Sequence, residues 1–274
     1  MAAHVETVAV LGCGVLGTMI AARLKDAEGE VSYKVVATRR SPDGLAELAK
    51  LGIPTETDNR RACENATIVI LGVRPQGIRD VLHEISPSLR PGTICITIAA
   101  GLPLSFYEAI LPSGVVMIRC HPSSLMAVRR GYIAVVPGTR ANASDTERAT
   151  RLLRLLCDDT LVIPERAINL FAAVFGSSAA LLYLFVEGLL SVEECKAEQA
   201  FSPRQIVAGM LAGSAAMLER SDKSARALSE EICTPNGMTI EGVKFWEAHD
   251  MTRLTTEAMN AVLARVSEMM RTIK

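Results

Sequence analysis

The chain has 274 residues, long enough for two domains and a substantial core. Its 29 basic and 30 acidic residues leave a net charge of −1, which argues against nucleic acid or an anionic membrane surface as a partner. The cysteine count is odd at 7, with no C-x-x-C, which argues against a disulfide framework or a metal site and for a reducing, cytoplasmic setting.

An apolar run over 7–11 predicts a buried strand, not a secretion signal. It leads into Gly12-Cys13-Gly14-Val15-Leu16-Gly17 and a helical pattern over 17–25. Strand, G-x-G-x-x-G and helix in that order form the dinucleotide fingerprint in the context that gives it a mechanism. Gly12 suits the tight turn, Gly14 the close approach of a pyrophosphate, and Gly17 the packing of helix on strand. The free N–H groups at the helix start, near Val15 and Leu16, then face the anion. A second strand over 34–38 ends at Thr38 and is followed by Arg39-Arg40-Ser41. The acid that usually holds an NAD ribose is missing there. Arg39 and Arg40 suit a 2′-phosphate, so the predicted cofactor is NADP(H). The alternative is that both are solvated loop charges.

Further strands are predicted over 68–73, 93–97, 115–119, 134–137 and 161–163, with helices over 42–51, 76–86, 104–110 and 144–157. Ser144 and Glu147 have the spacing of a capping box. This alternation predicts a doubly wound, mostly parallel α/β sheet over residues 1–164. Its ligand crevice lies at the carboxyl ends of the strands, where Val73-Arg74-Pro75 and Ala99-Ala100-Gly101 fall. The small residues at 99–101 suit a flat nicotinamide ring, or are ordinary turn chemistry.

After Pro164 strand signals stop, and residues 165–274 read as an all-helical domain. Helices are predicted from Ser202-Pro203-Arg204-Gln205 through Glu219, from Thr239, and from Thr252 onward. Residues 170–192 are apolar and long enough to span a bilayer, but Glu187 and a small-residue stretch at 176–180 predict a helix buried in a helical domain or dimer. With the stripe Leu254, Met259, Val262, Val266 and Met269, this segment predicts a dimer or larger assembly.

Of the histidines, only His121 lies near the crevice, as a proton donor or a turn residue. The turn Cys233-Thr234-Pro235-Asn236-Gly237-Met238-Thr239 brings hydroxyls and backbone N–H groups together, which suits a carboxylate. The alternative is a structural loop with Thr239 as a helix cap. Hydride transfer to a protonated imine needs only orientation and electrostatics, so the lack of a conspicuous base does not exclude a reductase.

These pieces, in this order, resemble the pyrroline-5-carboxylate reductase family. The family's V-K-P reads Val73-Arg74-Pro75 here, and its A-A-G loop reads Ala99-Ala100-Gly101. Its R-x-M-x-N-T segment reads Arg119-Cys120-His121-Pro122-Ser123-Ser124, and S-G-S-G-P-A-Y reads Ser177-Ser178-Ala179-Ala180-Leu181-Leu182-Tyr183. Its S-P-G-G-x-T-I reads Thr234-Pro235-Asn236-Gly237-Met238-Thr239-Ile240. The resemblance implies a Rossmann-type NADP domain followed by a helical dimerisation and substrate domain. It implies that Thr234, Thr239 and the N–H groups near Asn236 and Gly237 hold a cyclic imine carboxylate. It places Asp222 near the substrate nitrogen and Asn59 against the cofactor. The departures at Arg74, at Ser123-Ser124 in place of Asn-Thr with His121-Pro122 before them, at Asn236 and in residues 177–183 leave room for a different cyclic imine in specialised metabolism. A non-catalytic NADP-binding regulatory relative is the further alternative.

Overall fold

The structure is a computed structural model that describes the backbone of residues 4–29 and 31–272 and the side chains of residues 5–29 and 31–268. Eight strands form one sheet: β1 (His4–Leu11), β2 (Val31–Thr38), β3 (Thr55–Glu56), β4 (Ile68–Leu71), β5 (Ile94–Thr97), β6 (Val116–His121), β7 (Tyr132–Pro137) and β8 (Asp159–Val162). Their order is β3-β2-β1-β4-β5-β6-β7-β8. All neighbours pair in parallel except β6 and β7. That exception follows from the connection. Only a short 3₁₀ turn, Ser124–Val128, separates β6 from β7, whereas a parallel return needs a full crossover.

The crossovers are α1 (Val15–Lys25), α2 (Pro42–Lys50), α3 (Asn59–Cys63), α4 (Pro75–Ile85), α5 (Leu104–Glu108) and α6 (Ala143–Arg154). Both faces of the middle of the sheet are covered, so the central strands β4 and β5 are buried along their whole length. Val8 and Val10 pack with Ile20, Leu24 and Leu152 on one face. Ala9 and Leu11 pack with Ile78, Leu82 and Leu104 on the other. Glu6, at the start of β1, is buried and accepts from Arg148 Nε (2.9 Å) and Nη2 (3.0 Å), which ties α6 to the sheet.

Several local expectations shift. β3 and α3 carry too few residues to show a periodicity and were not anticipated. The capping box of α6 is Asn142 with Asp145, two residues before the expected Ser144 and Glu147. Asn142 has the extended backbone a cap needs, and Asp145 returns the hydrogen bond to its N–H at 3.2 Å. β6 runs on to His121, so that residue ends a strand and does not sit in a turn.

Beyond β8 the chain is helical: α7 (Ile168–Phe171), a π-helical turn over Ala172–Ser177, α8 (Ser178–Leu190), α9 (Glu193–Ala197), α10 (Pro203–Arg220), α11 (Ala225–Ile232), α12 (Met238–Ala248) and α13 (Met251–Thr272). Ser202 caps α10 by accepting from Gln205 N. The chain divides into two units, Met1–Gly176 with Leu263–Lys274, and Ser177–Val262. The break thus falls at 176/177, later than the change of character at Pro164. Residues 165–176 stay with the sheet because Arg119 and His121 of β6 hold them, as described below. In the second unit no residue is buried in the single chain. Tyr183, Leu184, Ile206 and Phe245 are each more than 60% exposed. Phe185 and Trp246 form one edge-to-face pair, 5.3 Å apart.

Candidate active site

The order of the sheet reverses at β1, which lies between β2 and β4, and this is where an open α/β sheet has its ligand crevice. The glycine turn sits there. Gly12 has φ +74°, and a Cβ on it would lie 2.4 Å from Val73 Cγ1, so this position requires glycine. A Cβ on Gly14 would meet nothing within 4 Å, which leaves open space beside the backbone. A Cβ on Gly17 would make ordinary contacts, 3.5 Å from Gly12 O, so the helix packing there is less demanding than the motif implies. α1 has Gly14 as its N-cap and no side-chain cap, so the N–H groups of Val15, Leu16 and Gly17 stand available to an anion. These features fit a bound pyrophosphate.

Thr38 and Asn59 buttress this turn. Gly12 N donates to Thr38 Oγ1 (3.3 Å), Thr38 Oγ1 donates to Asn59 Oδ1 (2.7 Å), and Asn59 Nδ2 donates to Glu84 Oε2 (3.0 Å). Arg39 follows β2 and lies across Gly44, with Nη1 on Glu47 Oε2 at 2.8 Å. Arg40 is exposed. Arg74 caps α4, and Pro75 opens it. Ala99 is buried with its N–H on Thr97 Oγ1 (3.2 Å), Ala100 is exposed, and Gly101 takes φ +90°.

His121 ends β6 beside Phe171, edge-to-face at 6.2 Å. A Cβ on Gly176 would come 2.7 Å from its Nε2. Burial, and secondarily the Arg119 charge, lower its pKa to about 4. The ring is therefore neutral at pH 7 and a poor acid, so the reading of His121 as a proton donor loses its basis.

The second unit holds the hydroxyl-rich loop. Gly237 is the N-cap of α12, with no side-chain cap, and donates to Thr234 O at 2.9 Å. Thr239 is therefore the second residue of the helix and not its cap. Its hydroxyl is left exposed beside the free N–H groups. Asn236 turns the chain with φ +59°. A Cβ on Gly237 would lie 2.2 Å from Thr234 Oγ1, so glycine lets that hydroxyl lie over the helix start. Arg226 bridges α11 to Glu247 of α12 at 2.9 Å and holds the two arms of the loop. Asp222 is exposed in the turn between α10 and α11. Sequence reasoning missed Glu84, Glu165 and the pairing of Glu165 with Arg119, contacts that join residues 25 to 61 apart. The described residues contain no cluster suited to a metal, and all seven cysteines are free. Burial pushes the Cys13, Cys63 and Cys120 thiols up to about 12, which leaves them unreactive.

Comparison with known proteins bears on both units. Residues 165–269 match the family described as pyrroline-5-carboxylate reductase dimerisation. Residues 7–101 match NADP oxidoreductase, coenzyme F420-dependent. Pyrroline-5-carboxylate reductase 3 of Xenopus laevis is 30% identical over 272 residues, covering 98% of this chain and 99% of its own. Pyrroline-5-carboxylate reductase of Pseudomonas aeruginosa is 25% identical, covering 96% of each. In fold, the chain superposes on 1-pyrroline-5-carboxylate reductase of Streptococcus pyogenes with a TM-score of 0.85 at 23% identity, covering 96% of this chain and 99% of that one. A Plasmodium falciparum pyrroline carboxylate reductase with NADP bound gives 0.86 at 20%, covering 97% and 98%. With its motifs in order and a relative of this similarity along its whole length, the chain belongs to the pyrroline-5-carboxylate reductase family.

Proposed function

We propose that this protein reduces 1-pyrroline-5-carboxylate to proline with NADPH, hydride passing to the C=N carbon and a proton to the nitrogen. The observation that carries this reading is the pairing, in one chain of the family, of an uncapped glycine turn and an uncapped α12 start beneath two threonines. NADPH, when bound, supplies the hydride. The chain's own residues bind and orient. Gly12, Gly14, Val15, Leu16 and Gly17 hold the pyrophosphate, and Thr38 and Asn59 set their turn. Arg39 and Arg40 take the 2′-phosphate, Arg39 sharing its fork with Glu47. Val73, Arg74, Pro75, Ala99 and Ala100 line the nicotinamide end.

The N–H groups at the start of α12, with Thr234 and Thr239, hold the substrate carboxylate, and Asn236 and Gly237 shape that cradle. Preorganised donors at a helix N-terminus need no rearrangement to receive the anion. Asp222 faces the imine nitrogen in this reading, while His121 contributes a neutral ring. The assembly is a homodimer or larger through the helical region, in the cytoplasm. The stretch Glu165–Leu190, long and apolar enough by composition to cross a membrane, lies within the dimerisation match and is read as interface.

A second reading keeps the reaction and changes the imine. It is favoured by Asn236, a side chain in a left-handed turn where the family motif has glycine. A panel of cyclic imines, with and without a carboxylate, assayed by NADPH oxidation and product analysis, separates the readings. Proline from 1-pyrroline-5-carboxylate as the fastest product supports the first. Turnover only of a larger or substituted imine carboxylate supports the second. No turnover of any imine leaves the non-catalytic relative.

A further inference from the structure

The loop that faces the nicotinamide in this reading, residues 98–104, is held at both ends by polar side chains: the buried Thr97 at its start and the half-buried Glu165 at its end. At its start, Thr97 Oγ1 accepts from Ala99 N at 3.2 Å and meets Tyr107 OH at 3.1 Å. At its end, Leu104 opens α5 behind Pro103, which offers no side-chain cap. The acceptor for Leu104 N comes from 61 residues away, Glu165 Oε1 at 2.7 Å. The same oxygen receives Arg119 Nη1 at 3.2 Å. Arg119 is 3% exposed and stands opposite Thr97 in the β5–β6 register. Its Nη2 donates to Asn169 Oδ1 at 3.2 Å. One carboxylate, with Arg119, therefore joins the far end of the loop, strand β6 and the start of the helical stretch.

We propose that Glu165 is a positioning residue for hydride transfer, fixing the 98–104 loop through Leu104 N–H and Arg119. The inference rests on the reading that Ala99 and Ala100 face the nicotinamide. Hydride transfer needs the reacting carbons at near-contact distance, so a loop displaced by about 1 Å costs up to a hundredfold in rate. Glu165 is too far along the chain from both partners to serve as a local helix cap, and one oxygen at the end of its side chain gathers both donors, so its reach sets the position of the loop.

The test uses the full-length protein and three variants, each assayed well below its Tm for kcat, for the KM of NADPH and imine, and for stability. Glu165→Ala removes the acceptor. Glu165→Gln keeps an acceptor oxygen of the same reach without the charge. Glu165→Asp keeps the charge but is one methylene short. The expected result is a kcat loss of about tenfold or more for Ala, with the imine KM within about twofold. Gln recovers most of the rate, and Asp stays slower than Gln. If all three lower Tm while kcat stays at the wild-type value, Glu165 is only structural and the proposal fails. If Ala does not fold, the order of Gln and Asp decides, and Asp at full rate overturns the proposal. An inactive wild type instead removes the functional reading itself.

Discussion

Gly12 and Gly17 look equivalent in the motif and are not equivalent in the fold. Gly12→Ala forces a side chain into a left-handed conformation and onto Val73, whereas Gly17→Ala meets ordinary contacts. The first is expected to abolish NADPH binding and lower Tm. The second is expected to leave both nearly unchanged. Equilibrium titration of NADPH fluorescence and thermal melts check this. His121 gives a pH signature. Its folded pKa lies near 4, below the value of 6.5 for the free side chain, so the unfolded chain binds the extra proton. Stability from this group is complete above pH 6.5 and falls, by an order of 3 kcal/mol, as pH drops toward 4. His121→Gln is expected to flatten that part of the stability curve, measured by urea unfolding across the range. The strand, glycine turn and helix were readable from spacing, because they leave few geometries, but the close packing expected at Gly17 was not found. The Arg119–Glu165 pair was not readable, although Arg119 stands in a family segment, because an ion pair between residues 46 apart leaves no local pattern.

At the scale of elements, the central strands were legible because burial on both faces makes β4 and β5 nearly unbroken apolar runs. The two-residue β3 and five-residue α3 were not, since no periodicity develops in so few residues. The start of α6 was misplaced by two residues because Asn142 and Ser144 are both good caps. Only the backbone at Asn142 and the returning Asp145 decide between them. The tie between β1 and α6 makes a further prediction. Arg148→Met leaves the Glu6 carboxylate buried without its bidentate partner, at a cost of about 3 kcal/mol. The Glu6→Gln, Arg148→Met double variant is expected to recover part of that loss in a double-mutant cycle by urea unfolding. Losses in the two single variants that simply add in the double would show the pair to be uncoupled.

At the scale of the molecule, a helical unit with no buried residue of its own is not a finished core. The stripe seen in the sequence runs along α13, where Met259 and Val262 are half-buried and Leu254 is exposed, while the Met269 side chain lies outside the described residues. Apolar exposure on this scale requires a partner surface. The protein is expected to sediment as a dimer or larger at micromolar concentration, and a monodisperse folded monomer would refute that account. In the proposed function the α12 start grips a carboxylate so that NADPH can reduce the adjoining imine. The most direct measurement is kcat/KM with NADPH for 1-pyrroline-5-carboxylate and for 1-pyrroline, in wild type and in Thr239→Ala. The account predicts that the variant loses a charge-assisted hydrogen bond of about 1.5–3 kcal/mol, a ten- to hundredfold drop confined to the carboxylated imine. An equal drop with both imines, or wild-type turnover indifferent to the carboxylate, would contradict it.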